Sequence, residues 1–273
     1  MKFEETKVEE WARIANWWAQ FEAPWHPSQK RIEIYRRLLR KYSPGKKALV
    51  LGATPEIRDM LAEEKCDVTI VDQSPVMIKA MTSLRKTKSK ETFVVANWMT
   101  YKSKEKFDAI FGDNVQNNIS KRRWVAFEKN ICNLLSKDGV FLNWEAGFYN
   151  PEMKRMDHDD IISLYRKNPS YFDKFENKAN LHLKIWHIYK KPGGRVDTLY
   201  SERGLRKRLK KGLISQKEYE GIKQGLVWRG VLLSMEDTRR LLGRVFDIVE
   251  ECIEDDTPLY NDFYRLFVLK VKK

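Results

Sequence analysis

An α/β fold, with a largely parallel sheet buried between two layers of helices, is predicted by three features of the chain. Predominantly apolar runs of strand length recur at Ala48–Leu51, Val68–Val71, Thr92–Ala96, Phe107–Phe111 and Val140–Trp144, the pattern of strands covered on both faces. Segments with apolar residues at helical spacing lie between most of them. Gly52 ends the first strand, and Asp72 closes the second 20 positions later, the interval at which a nucleotide-binding βαβ unit presents a carboxylate to ribose hydroxyls.

Taken in order, residues 7–21 form an amphipathic pattern with Val8, Trp11, Ile14, Ala15 and Trp18 on one face. The stretch from Phe21 to Ser28, with Pro24 and Pro27, interrupts it. Ser28 then suits the cap of a helix from Gln29 to Tyr42 that carries Ile32, Ile34, Tyr35, Leu38 and Leu39. After the first strand, Gly52 lets backbone approach a ligand closely. Thr54 suits an N-cap and Pro55 the first helical position. Ile57, Met60 and Leu61 continue that helix before the strand Asp67–Val71.

A fourth helix is expected from Pro75, with Val76, Met77, Ile78, Ala80 and Met81, and an exposed basic loop from Arg85 to Lys90. The third strand leads to Asn97 and Trp98. Phe107–Asp113 is the fourth, and Asp113 to Asn118 its carboxyl-end loop, where ligands of open α/β sheets bind. Residues 121–135 read as a helix with Trp124, Phe127, Ile131, Leu134 and Leu135 inward. Asp138-Gly139 turns into the fifth strand, which ends at Glu145.

From about Pro151 to Arg229 the strand-helix rhythm stops, over a length too great for an ordinary loop. Helices are expected near 158–167, 203–211 and 215–224, the last with a Ser215–Glu218 capping box. Residues 150–229 carry 19 Lys/Arg against 10 Asp/Glu, the largest share of the net charge of +14, interleaved with aromatic residues. Such a patch suits nucleic acid, an acidic small molecule or an anionic surface, and equally a solvated exterior. The run Arg203–Lys211 is its most basic part and reads as a solvated helix face with Leu205 and Leu209 inward. The rhythm returns in a short helix capped at Ser234, a strand Val245–Glu250, a turn at Asp255–Pro258 and a final strand Phe263–Val271.

With 273 residues the chain can bury the core of one large domain with an elaboration. Cys66, Cys132 and Cys252 are odd in number and far apart, which suggests neither a disulfide framework nor a zinc knuckle. His26, His158, His182 and His187 include no zinc-binding pair, and Asp157-His158-Asp159-Asp160 is explained by a helix N-terminus rich in carboxylates, so no metal is expected. No G-x-S-x-G elbow or phosphate-binding P-loop occurs. The N-terminus lacks an apolar signal region and no membrane-spanning run is present, so the expectation is a protein of the reducing cytoplasm.

A pyrophosphate needs bare backbone at two or three places, hence G-x-G-x-x-G; here only Gly52 is present, followed by Ala53-Thr54-Pro55-Glu56. A ligand without pyrophosphate makes fewer such demands. In this turn, in the Val71–Met77 run after the second strand and in the later strand ends, the chain resembles the class I S-adenosylmethionine-dependent methyltransferases over roughly residues 45–146 and 231–272. The resemblance implies a Rossmann-like seven-stranded mixed sheet with its last strand antiparallel. It implies an N-terminal helical lid (1–46), a cofactor-binding core (47–149 and 230–273) and an inserted, mainly helical, substrate-selecting cap (150–229).

It also implies S-adenosylmethionine as cofactor, held by the turn Gly52, Ala53 and Thr54, with Asp72 on the ribose and Gln73 and Met77 bordering the adenine. Asn97 would accept from the adenine amino group, Trp98 would stack nearby, and Asp113 would lie close to the methyl. Trp25, with Trp17 and Trp18, would exclude water from the sulfonium. Position alone makes Asn114, Glu145 and His158 the catalytic candidates, Asn114 to orient a nucleophile and either of the others to remove its proton. The loop at Asp113–Asn118 is not the Asn-Pro-Pro-Tyr-type motif of members that act on adenine or glutamine amides. The acceptor expected first is a small molecule, with an acidic group suggested by the basic cap. An RNA or protein methyltransferase using region 203–211, a non-catalytic module that binds the same cofactor, and a nicotinamide-dependent enzyme with an atypical turn stand beside it.

Overall fold

In the computed structural model, residues 14, 15, 18, 22–43, 45–188, 195–197, 199–223 and 229–272 are described. The strands are β1 (Lys47–Leu51), β2 (Asp67–Asp72), β3 (Glu91–Val95), β4 (Phe107–Asp113), β5 (Leu135–Ala146), β6 (Arg195–Asp197), β7 (Arg229–Val231), β8 (Phe246–Cys252) and β9 (Tyr264–Val271). Seven of them form one sheet in the order β3-β2-β1-β4-β5-β9-β8, and β6 and β7 form a separate antiparallel ribbon. β1 to β5 pair in parallel. β9 runs antiparallel to both of its neighbours, with Trp144 opposite Leu266 and Ile248 opposite Leu269.

The helices are α1 (Gln29–Tyr42), α2 (Pro55–Glu63), α3 (Pro75–Ser83), α4 (Trp124–Leu134), α5 (His158–Lys167), α6 (Phe175–Ile188), α7 (Leu199–Lys210), α8 (Gln216–Lys223), α9 (Met235–Leu242) and α10 (Pro258–Phe263). Their starts follow local chemistry. The Ser28, Ser74 and Ser234 hydroxyls accept from the N–H of Arg31, Met77 and Asp237, and Asp157 with Asp160 forms a capping box. Thr54 occupies the N-cap of α2, but its side chain makes no capping bond, contrary to expectation. Pro55 alone sets that start, its fixed φ being suited to the first helical position.

Alternation along the strands sorts side chains to two faces. Val50, Ile70, Phe111, Leu142 and Trp144 pack with α1, α2, α3 and the helices α5 to α8, through Leu38, Ile57, Met81, Ile161, Leu181 and Leu205. Leu49, Val71, Ile110, Phe141 and Phe267 pack on the other side with Phe127 and Ile131 of α4 and Leu241 of α9. α1 therefore lies on the sheet, where the buried Tyr35 hydroxyl donates to the Gly112 carbonyl.

Several local expectations shift. α6 has no counterpart in the sequence reading: Leu181-His182-Leu183-Lys184-Ile185 alternates like a strand, yet all three apolar residues are buried and the segment is helical. α7 starts at Leu199 rather than near 203. A short helix with Pro258 at its first position replaces part of the turn before β9. Helix α4 is preceded by a separate 3-10 turn, Lys121–Arg123. The expected helix over 7–21 lies mostly outside the described residues. Among the described residues no helix is long and apolar enough to cross a membrane, and no cluster of three or more His, Cys, Asp or Glu side chains could hold a metal.

The basic loop after α3 is not wholly exposed. Arg85 turns inward and pairs with Asp59 and Glu91, and Glu91 also takes two hydrogen bonds from the buried Arg58 of α2, at 3.0 and 2.7 Å. One carboxylate thus neutralises two buried guanidinium groups at the edge strand β3. Removing one partner of a buried pair leaves an uncompensated charge. Glu91→Ala is accordingly expected to lower stability by about 3–5 kcal/mol, read as a reduced urea midpoint with an unchanged denaturant slope.

Candidate functional site

At the carboxyl ends of β1, β2 and β4 the backbone opens a narrow cleft. Its first element is Gly52, whose φ of +92° is the left-handed region that glycine tolerates and other residues resist. Its N–H donates to the Val71 carbonyl at 2.8 Å, which folds the turn back over β2. A Cβ there would stand 3.8 Å from the Trp98 ring and 3.9 Å from Asp72 Oδ2. Gly52 thus leaves backbone bare beside an acidic oxygen and an aromatic face.

Asp72 is buried at the end of β2. Its Oδ1 accepts from the Ser74 N–H at 2.8 Å, which fixes the carboxyl and starts α3. Burial pushes its pKa up to about 6, partly countered by backbone N–H groups of Ser74 and Gln73. Across the cleft Asp113 ends β4, and its Oδ1 accepts from Arg31 Nη1 at 3.0 Å. Burial raises its pKa to about 6 as well, against the opposing pull of Arg31. Two carboxylates therefore flank the bare turn in a poorly hydrated site, and the ligand that such a cleft favours is cationic.

Eight of the residues singled out from the sequence line this one cleft: Gly52, Ala53, Thr54, Asp72, Gln73, Met77, Trp98 and Asp113. Trp98 is held by its Nε1–H on the Val71 carbonyl at 2.7 Å. Two others are not on the wall. Asn97 turns its amide oxygen back to the Met99 N–H at 2.8 Å and donates to Gln73 Oε1 at 3.3 Å, so the oxygen meant for a ligand closes its own turn. Trp25 packs edge-on to Phe175 of α6, with centroids 6.0 Å apart. Of the tryptophans expected to cover the cleft, Trp18 lies on its wall and Trp17 is outside the described residues.

The three catalytic candidates sit elsewhere. Asn114 has a φ of +56°, and its Oδ1 accepts from the Ala146 N–H at 3.1 Å, so its amide braces the loop. Glu145 is fully buried beneath that loop. Its Oε2 lies 3.4 Å from Asn143 Nδ2, and desolvation first, then the neighbouring Glu128, raises its pKa well above the usual carboxylate range. His158 belongs to the interior of the α5–α8 region, where Nε2 donates to the Ser201 carbonyl at 2.9 Å and burial lowers its pKa. A hydrogen bond to backbone and close packing against Gly204 keep that ring away from solvent.

Val115 and Asn118, in the loop expected at the ligand-binding end but given no individual role there, also line the wall, with Leu51 and Met81. Asn118 Nδ2 donates to the Asn114 carbonyl, one helical turn back, at 2.7 Å. Asn117 next to it donates to the carbonyls of Ala146 and Val231, each at 2.7 Å, and accepts from the Ala146 N–H at 2.9 Å. Beyond the loop's place at a strand end, the hint of this bonding in the sequence is the density of amide side chains between 114 and 118.

No family profile and no curated protein matches the sequence. Solved structures do match. A chain from Rhodobacter sphaeroides provisionally assigned to the zinc-dependent alcohol dehydrogenases aligns at 17% identity over 100% of both chains, with a TM-score of 0.59. The Burkholderia thailandensis 1,6-didemethyltoxoflavin N1-methyltransferase, bound to S-adenosylhomocysteine, aligns at 12% identity over 99% of this chain and 90% of its own, with a TM-score of 0.57. The N-methyltransferase NodS of Bradyrhizobium japonicum, bound to the same product, aligns at 13% identity over 100% of both, with a TM-score of 0.53. A dinucleotide-binding sheet has six strands in the order 3-2-1-4-5-6, whereas here antiparallel β9 is inserted between β5 and β8. The chain has the class I methyltransferase fold. In the methyltransferase fold the cleft just described lies where the strand order reverses, between β1 and β4.

The raised pKa of Asp72 has a sign that can be measured. Its folded value of about 6 exceeds the unfolded value of about 3.9. The folded state therefore holds a proton that the unfolded chain has released. The associated stabilisation is full below about pH 4 and is lost as pH rises through about 6. Asp72→Asn is expected to flatten the pH dependence of stability in that window, measured by urea unfolding at a series of pH values.

Proposed function

We propose that the protein is an S-adenosylmethionine-dependent methyltransferase acting on a small-molecule acceptor. The observation that carries this reading is the pair of carboxylates, Asp72 and Asp113, with side chains shielded from solvent on either side of the bare Gly52 turn. The residues fit the cofactor in charge and in shape. Asp72 Oδ2, beside Gly52, would accept from the ribose hydroxyls. Asp113, held in place by Arg31, would face the ammonium group and the sulfonium. The N-terminus of α2 at Thr54 would receive the carboxylate, as helix N-termini receive anions. Met77 and Trp98 would border the adenine.

When bound, the cofactor would supply an electrophilic methyl on a sulfonium. The chain's own part is alignment and exclusion of water. None of Glu145, His158 or Asn114 reaches the cleft wall, so the reading assigns no general base among them. The free space in the cleft is only about 50 Å³, well below the several hundred Å³ of an ordinary ligand pocket. Binding would therefore require side chains of the wall to move apart.

A small acceptor is favoured over RNA because two arginines of the basic run are already paired within the protein. Arg206 pairs with Glu202 and Arg208 with Asp159, while Leu205 is buried. Two of the fold's neighbours are, by name, methyltransferases of small molecules, 1,6-didemethyltoxoflavin and magnesium protoporphyrin IX. The domain reading that fits is a cofactor-binding core (47–149 and 230–273), an N-terminal cover and a substrate-selecting cap over 150–229.

Calorimetry tests this. S-adenosylmethionine and S-adenosylhomocysteine are expected to bind and NAD not to bind, with affinity rising as Asp72 ionises through about pH 6. Asp72→Ala is expected to weaken both ligands by roughly tenfold to hundredfold, the worth of charge-assisted hydrogen bonds. Binding of NAD alone would reverse the assignment. RNA binding that falls steeply with salt would favour the polyanionic acceptor instead.

A further inference from the structure

Among the helices α5 to α8, two histidines meet on the two polar groups of one buried serine. Ser201 of α7 is 0% exposed, and His158 of α5 and His182 of α6 are 1% and 2% exposed. His158 Nε2 donates to the Ser201 carbonyl at 2.9 Å. His182 Nε2 donates to the Ile222 carbonyl of α8 at 2.8 Å, which leaves Nδ1 of the neutral ring to accept from the Ser201 hydroxyl at 3.4 Å. Two rings and one serine thus tie four helices together. Gly204, one turn after Ser201, admits the His158 ring, because a Cβ there would collide with it.

This arrangement suits neutral rings. A second proton on His182 would place a charge where water is excluded, and would turn Nδ1 into a donor, so that the Ser201 hydroxyl loses its acceptor. Burial lowers the His182 pKa to about 4, opposed by the Ile222 carbonyl and reinforced by His158 and Lys178. Burial lowers His158 too, with Arg208 of α7 adding to it and the Ser201 carbonyl, Asp157 and Asp159 opposing. The nearby carboxylates have partners of their own: Asp159 pairs with Arg208, and Glu202, beside Ser201, accepts from Arg206 and the Tyr219 hydroxyl. A histidine released from this setting takes its proton at about 6.5, so the tie is at full strength above that pH and weakens as pH falls towards 4. The Arg166–Glu218 pair, which also joins α5 to α8, weakens only below about pH 4.5, the ordinary glutamate value. Protonation of Asp72 between pH 6 and 4 acts with the opposite sign, on the sheet.

We propose that His158 and His182 form an acid-sensitive latch on Ser201, closed at neutral pH, whose protonation loosens α7 from α5, α6 and α8. The latch is independent of the methyl-transfer reading, because none of its three residues lines the cleft. Hydrogen exchange of the full-length protein tests it, at about pH 7 and about pH 5, with rates corrected for their intrinsic dependence on pH. Imidazole resonances of the two histidines are followed over the same range.

Amide protection within 199–210 is expected to fall by roughly tenfold to hundredfold at the lower pH, the linkage of a histidine held at about 4 instead of about 6.5. Protection within 47–51 and 107–113 should hold. The His182 ring should titrate well below 6.5. His182→Gln keeps an amide donor and acceptor but takes up no proton, and should remove most of the fall; His158→Gln should reduce it. Unchanged protection of 199–210, a loss shared equally by 47–51, or a His182 ring that titrates at about 6.5 while 199–210 stays protected would each overturn the proposal. So would a full loss in both glutamine variants. The wild-type measurements decide the matter if a variant does not fold.

Discussion

The guanidinium of Arg31 is the constraint on which the cleft depends. It is completely buried, donates to Glu254 through Nε at 2.6 Å, to Asp113 through Nη1 at 3.0 Å and to the Pro24 carbonyl through Nη2 at 3.2 Å. Its flat face lies 3.8 Å from the centroid of the Trp144 ring. Burying that charge is costly, and burial opposes it, yet Asp113 and Glu254 outweigh the cost and hold the group firmly protonated. One side chain of α1 thereby fastens the carboxyl ends of β4 and β5 and the chain after β8. Lysine has the charge but neither the planar fork nor the stacking face.

The sequence made the sheet legible because its signals are local and redundant. Each of the first five strands is an apolar run, Gly52 and the Pro-led helix starts punctuate them, and α1 spans the residues Gln29–Tyr42 that its Ser28 cap and apolar spacing indicate. The cleft was legible for a related reason: ligands of open α/β sheets gather at strand ends, so residues next to those ends lie together. Helix α6 was hidden because its alternating stretch imitates a strand, and only packing against α10 and the sheet decides between the two. Nothing local distinguishes Asn97, which closes its own turn, from an asparagine that faces a ligand.

Glu145 shows why position at a strand end is not sufficient. Side chains of β5 alternate, and Glu145 shares its face with Phe141 and Asn143, opposite to Trp144. There it joins a buried chain in which Asn143 donates to Gln116 at 2.6 Å and Gln116 donates to Glu128 at 2.8 Å. Burial pushes Glu128 up to about 7. These groups are isolated from the cleft and sustain the underside of the 114–118 loop, so a carboxylate that reads as a reagent in the sequence is a strut in the fold.

Asn117 ties together two parts of the chain that lie far apart in sequence, since one amide holds the end of β5 and the carbonyl of Val231, where the chain comes back from the α5–α8 region. The returning strand is therefore anchored to the sheet itself, whatever lies between its two crossings. The helices between those two anchor points complete one face of the core, so any segment grafted in their place would have to cover Val50, Phe111, Leu142 and Trp144 as well as meet both ends of the tie.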